Sequence, residues 1–178
     1  MQIDSVIHLK SYEQIKLLLR RHAITFLPLI GIFIILLLMP IGVYFLINAI
    51  FPTFLTNTIT YTLMVLFASI YYLSIYLFFY SYFVTFYLDL WIITNDRLVD
   101  IRQVTLFART IAEIDLYQIQ DISSDVSGFF PSLFNYGNVS IQTAGTIPKC
   151  ILYNVPDPHH IRQVILELSA KDKDYHNK

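Results

Sequence analysis

Few residues in this chain have the type and spacing that chemistry requires. His159 and His160 are adjacent, so on a helix they point to different sides, and no neighbouring Cys or His completes a metal set. Cys150 stands beside Lys149, whose charge would favour a thiolate. A Cys within a strand more often serves as a small packed side chain. Glu113, Asp115, Asp121 and Asp125 are scattered over turns and strands, where carboxylates face solvent by default. The sequence holds no G-x-S-x-G, H-E-x-x-H or phosphate-loop pattern. The expectation is a protein that is not an enzyme, with no catalytic residue, metal, cofactor or small-molecule substrate.

What the chain does carry in quantity is apolar surface. Of its 178 residues 56% are hydrophobic and only 14% are charged, whereas a soluble domain carries about a quarter charged residues. Residues 22–88 contain no Lys, Arg, Asp or Glu. One span needs about 20 helical residues, so this stretch predicts two membrane helices, at about 23–47 and 61–83 within a segment 23–85. Asn48, Pro52 and Asn57 mark the turn between them, and Pro28 and Pro40 are expected to kink or open the first helix. Tyr71 and Tyr72 lie deep enough in the second helix to pack on the first. The run is too long for a signal-peptide core and lacks a small-residue cleavage site. Lys10, Lys16, Arg20 and Arg21 precede it, Arg97, Arg102 and Arg109 follow it, and the central turn has no Lys or Arg. That asymmetry predicts an integral inner (plasma) membrane protein with both termini cytoplasmic. A single Cys excludes an internal disulfide.

Residues 1–22 read as a cytoplasmic segment with an interfacial helix over 11–21, because Ser11 and Gln14 fit a capping box. Behind the hairpin the period changes to two. Alternation around Asp89–Ile93 and Arg97–Gln103, with the turn Thr94–Arg97 between, predicts a hairpin of strands. Residues 110–127 alternate and then slip phase at Ile119, which signals a bulge or a break between two strands. Residues 139–142 and 147–155 give further strands. Asp157 reads as an N-cap, Pro158 as the first helical residue, and Ile161, Val164, Ile165 and Leu168 as one apolar face. A small antiparallel barrel or sandwich closed by one helix fits this order, with a disordered tail at 170–178. The fold class is thus a membrane helical hairpin plus a mostly-β (α+β) domain over 86–169.

Four stretches in order, Trp91–Leu98, Ile114–Ile122, Leu133–Gly145 and Asn154–Ile165, resemble the bacterial pleckstrin-homology-like (YdbS-type) domain. The resemblance implies seven strands in barrel-like sheets capped by a C-terminal helix, and it implies no enzymatic activity. In its most specific stretch Asn135–Asn138 supplies a turn, with Gly137 free to take positive φ.

Residues 89–178 hold 8 Lys/Arg against 11 Asp/Glu. This balance argues against nucleic acid and against a basic lipid pocket on the domain. The basic flank Lys10, Lys16, Arg20 and Arg21 is the candidate for contact with membrane lipid headgroups. Phe129, Phe130, Leu133 and Phe134, around Pro131, either cap the core, lie against the membrane, or form an exposed surface for a protein partner or for self-association. The functional expectation is a scaffold or protein-interaction module at the cytoplasmic membrane surface. The alternatives are a lipid-surface sensor and an oligomeric channel or transport accessory.

Overall fold

The computed structural model describes residues 9–53, 56–145 and 149–176. The chain divides into two compact units, one formed by residues 23–84 and the other by residues up to 22 together with those from 85 onward.

The first unit is the helical hairpin. A short 3₁₀ turn, Ala23–Phe26, leads into α1, Leu27–Ile50, and α2 runs from Thr58 to Leu88. The second is longer than the sequence spacing predicted, the first ends three residues later, and both are long and apolar enough to cross a membrane. At 31 residues, α2 extends about 46 Å, more than a bilayer core requires. Neither helix has an amphipathic stripe or a charged residue, so lipid-compatible surface faces every direction. Ser69, Ser74 and Ser81 donate to carbonyls four residues back, keeping their hydroxyls satisfied within α2.

Pro40 sits inside α1 and removes the N–H that would bond to the carbonyl of Leu36. The Tyr71 hydroxyl of α2 donates to that same oxygen at 2.9 Å and lies 3.3 Å from the Met39 sulfur. Tyr72 donates to Leu37 O at 3.3 Å. The two tyrosines therefore pack on the first helix as the sequence predicted, and Tyr71 replaces the donor that proline deletes.

The second unit is built from two antiparallel sheets. Strands β1 (Ile15–Leu19), β2 (Leu90–Thr94), β3 (Arg97–Gln103) and β4 (Arg109–Asp115) form one sheet in that order. Strands β5 (Ile119–Asp125), β6 (Tyr136–Thr143) and β7 (Lys149–Pro156) form the other. A 3₁₀ turn, Leu116–Gln118, carries the chain between sheets, which is the physical origin of the phase slip at Ile119. The short helix α3 (Phe129–Phe134) precedes β6, and α4 (Pro158–His176) closes the unit. The core between the sheets includes Trp91, Ile93, Leu98, Ile114, Ile122, Ile141 and Leu152, with Ile161 and Ile165 of α4 against them. Leu90, Ile92, Val99 and Ile101 form a second cluster on the opposite face of the first sheet, with Leu9 and Ile15.

Several expectations are corrected. The helix expected over 11–21 is strand β1, whose residues pair with β2 from Ile15↔Thr94 to Leu19↔Trp91. Tertiary pairing overrides the local capping signal there, and Glu13 is drawn inward to Arg97 at 2.9 Å. The domain is therefore not confined to 86–169, because its first strand precedes the hairpin. The two sheets do not close into a barrel, since β4 and β7 are unpaired edges among the described residues. The tail expected at 170–178 is helical as far as His176, held by Ser169 Oγ on Leu116 O at 2.9 Å and by Lys173 Nζ on Ile119 O.

Near α3 a turn over Asn135–Asn138 gives way to the start of β6 at Tyr136, with Asn135 in the left-handed region at φ 50°. Gly137 does not have positive φ. It is required because a Cβ there would collide with the Asp125 carbonyl oxygen. The predicted helix entry stands: His160 N donates to Asp157 Oδ1 at 3.3 Å. The expected strand residues 147–148 and the last two residues of the tail lie outside the described residues.

Candidate functional site

On β3 the inward side chains run Leu98, Asp100, Arg102, and their partners across β4 are Ile114, Ala112 and Thr110. The inner face thus turns from apolar to polar as it approaches the open side of the sandwich. On β7 Cys150 points into the same space, and Tyr153 and Lys149 stand at its rim. All of these but Leu98, which lies deeper in the core, line a cleft of about 400 Å³ beside β4 and β7.

Asp100 is the centre of this cleft. Its side chain is only 9% exposed, and Oδ2 receives Arg102 Nη2 at 2.9 Å. The Cys150 thiol lies 3.8 Å from the same oxygen, linking the two sheets. Oδ1, Arg102 Nε and the Trp91 indole nitrogen are buried without a hydrogen bond of good geometry, although the Trp91 N–H lies close enough to Asp100 to favour its charged form. Burial pushes the Asp100 carboxyl above the ordinary range, and Asp89 adds to this; Arg102 only partly offsets it. The Cys150 thiol is pushed up to about 12, chiefly by burial and then by the Asp100 charge. Lys149 does not activate it, so Cys150 is a structural thiol rather than a nucleophile. The Arg102 guanidinium lies 5.9 Å from the Tyr153 ring centroid, forming one wall of the cleft.

The strand edges differ in exposure. At β5, Arg162 Nε and Lys173 Nζ of α4 bond to the carbonyls of Ile122 and Ile119, so helix side chains occupy that edge. Among the described residues β4 pairs with β3 alone and β7 with β6 alone. Their outer edges flank the cleft. Arg109 and Glu113 on β4 keep that edge charged, which limits indiscriminate strand pairing.

The remaining predicted residues are dispersed. Lys10 pairs with Asp96, which raises its pKa, and Arg21 pairs with Asp89. Lys16 is exposed and bonds to Gln14, and Arg20 stacks over the Tyr87 ring at 5.0 Å. Two of the four cations are thus committed to ion pairs within this unit, and the other two to Gln14 and to the Tyr87 ring. His159 Nδ1 lies 2.9 Å from Ser124 Oγ, on the side of α4 that faces β5. Phe129, Phe130, Leu133 and Phe134 are 75%, 62%, 63% and 41% exposed, so they do not cap the core of their own unit.

Sequence reasoning missed Asp100. Its signal was present in "LVDIR", where an acid occupies the phase of Leu98 on a strand whose other face, Val99 and Ile101, is also apolar. An acid on a strand apolar on both faces cannot reach solvent by register alone.

No family model matches the chain, and no curated protein matches it. Among solved structures it is similar to the crystal structure of a DUF1696 family protein with a pleckstrin-homology domain from Shewanella loihica PV-4. The two are 19% identical, the match covers 46% of this chain and 70% of that one, and the TM-score is 0.36.

Proposed function

We propose that this chain is a non-enzymatic membrane protein whose hairpin anchors a pleckstrin-homology-like, YdbS-type interaction module at the cytoplasmic surface. The module receives an extended peptide segment along the β4 edge, beside the Asp100 cleft. The observation that carries this reading is the pair of edges, β4 and β7, unpaired among the described residues, around a cleft centred on the buried Asp100 carboxylate. Strand addition supplies main-chain hydrogen bonds for affinity, and a donor side chain on the incoming segment satisfies Oδ1. A buried carboxylate short of well-aligned hydrogen bonds is costly, so a further donor favours binding. Cytoplasmic placement rests on the Lys/Arg asymmetry around the hairpin.

A photo-crosslinking residue at Thr110 of the full-length protein in its native membranes tests the reading. A discrete adduct is expected, and Ala112→Trp, which fills the cleft, should abolish it while thermal unfolding stays within a few degrees. An adduct that survives Ala112→Trp, or no adduct at all, overturns the assignment. The lipid-surface alternative is favoured by one separate observation, the exposure of α3. A channel or transport accessory gains no support from a hairpin whose sequence carries no charged side chain.

A further inference from the structure

The junction where the chain leaves the β-unit is defined by contacts within that unit. The His22 N–H donates to Asn154 O at 2.7 Å, and the His22 ring stacks on Tyr136 with centroids 5.4 Å apart. The next residue, Ala23, begins the apolar hairpin. On the returning chain Asp89 follows α2 directly, and its carboxylate pairs with Arg21 at 2.5 Å. Departure and return are thus fastened side by side at one pole of the unit.

Helix α3 ends at that same pole. Asn135 caps it, Asp157 N donates to Asn135 O at 2.9 Å, and Tyr136 follows beneath His22. Three non-glycine residues with positive φ, Asn135, Asn154 and Asp157, are gathered here, so the backbone bends sharply to bring α3 and the junction together. Residues 126–148 contain no charged side chain. The Phe129 and Phe130 rings meet edge to face at 5.5 Å, and they and Leu133 are exposed on a helix that packs on β6.

We propose that α3 is a third membrane contact: Phe129, Phe130 and Leu133 insert into the interfacial layer of the bilayer that holds the hairpin. The occupant of this apolar face is lipid. The segment that carries this face is uncharged and aromatic-rich, as headgroup-level segments are. It also adjoins the point from which the chain enters the apolar segment, so bilayer is the surface always within reach. The inference rests on the hairpin spanning the bilayer, which resistance to alkaline extraction from the same vesicles checks independently.

The test uses the full-length protein in phosphatidylcholine–phosphatidylglycerol vesicles, with an environment-sensitive nitrobenzoxadiazole label on Phe130→Cys or, as a control, on Glu167→Cys of α4. Spin-labelled lipid carrying its nitroxide near the headgroup should quench the Phe130→Cys label at least twofold and leave the control unchanged. A label on Leu133→Cys should lose its quenching when Phe129→Asp is added. Equal quenching at residues 130 and 167 overturns the proposal. So does a label shielded from water but unquenched by lipid, or shielded in proportion to protein density, since a protein partner or a second copy then covers α3. Release of the protein by alkaline extraction would instead overturn the spanning hairpin.

Discussion

Asp100 and Cys150 form one contact with two titrations of opposite visibility. The Asp100 carboxyl is raised by burial, so between the unfolded value of about 3.9 and its folded value the native state holds more protons than the unfolded one. Stability from this group therefore falls as pH rises through that window. Glu13 behaves in the opposite sense. Burial tends to raise it, but the bonds from Arg97, Lys10 N–H and Thr94 outweigh burial and lower it, so its contribution is lost on acidification. Asp100→Asn should consequently gain on the parent as pH rises through the Asp100 pKa in detergent-phase thermal unfolding, with no gain at the acid end. A constant offset at every pH would contradict the assignment. Cys150, at about 12, should resist maleimide at pH 8 and react stoichiometrically only after unfolding. Rapid labelling of the native protein would show the cleft to be open to the thiol.

At the level of elements, Pro40 and Tyr71 are two halves of one feature. A membrane helix tolerates proline when a neighbour satisfies the freed carbonyl, and Tyr71 does so for Leu36. Tyr71→Phe should destabilise the hairpin by about 1 kcal/mol. The same change in a Pro40→Ala background should cost clearly less, because alanine restores the intrahelical donor. Additive effects in a double-mutant cycle of denaturant unfolding would refute the pairing. The hairpin, the Thr94–Arg97 turn, the break at Ile119 and the α4 cap were legible because each is written in local charge, period or capping chemistry. Strand β1 was not. "SYEQIKLLLRR" satisfies helix capping and strand alternation alike, and only the partner strand, more than 70 residues on, selects between them. The need for Gly137 was legible, but its cause was not, because the obstacle is the backbone of the neighbouring strand β5 rather than its own φ.

On the scale of the whole molecule, the hairpin is inserted between the first and second strands of the β-unit. An isolated fragment 86–178 lacks β1 and leaves the β2 edge open beside Trp91 and Ile93. It should aggregate or show weak thermal cooperativity, whereas residues 9–22 joined to 85–178 by a short flexible linker should unfold cooperatively. Equal behaviour of the two fragments would make β1 dispensable. The hydrogen-bonded β1–β2 pair also requires the flanks of α1 and α2 to meet on one side of any membrane the hairpin crosses. Strand pairing therefore fixes the parity of the topology, while the Lys/Arg asymmetry supplies the expected side.

That same insertion gives the sheet a part in biogenesis. Strand β1 leaves the ribosome before either apolar helix and has no partner until both have been synthesised and β2 has emerged. A chain whose second helix fails to cross strands β1 and β2 on opposite faces of the bilayer, each with an unfilled edge of the kind that invites aggregation. If the hairpin crosses a membrane, the four-stranded sheet can be completed only in a correctly threaded chain, so protease sensitivity at the β2 edge should separate threaded from misthreaded molecules.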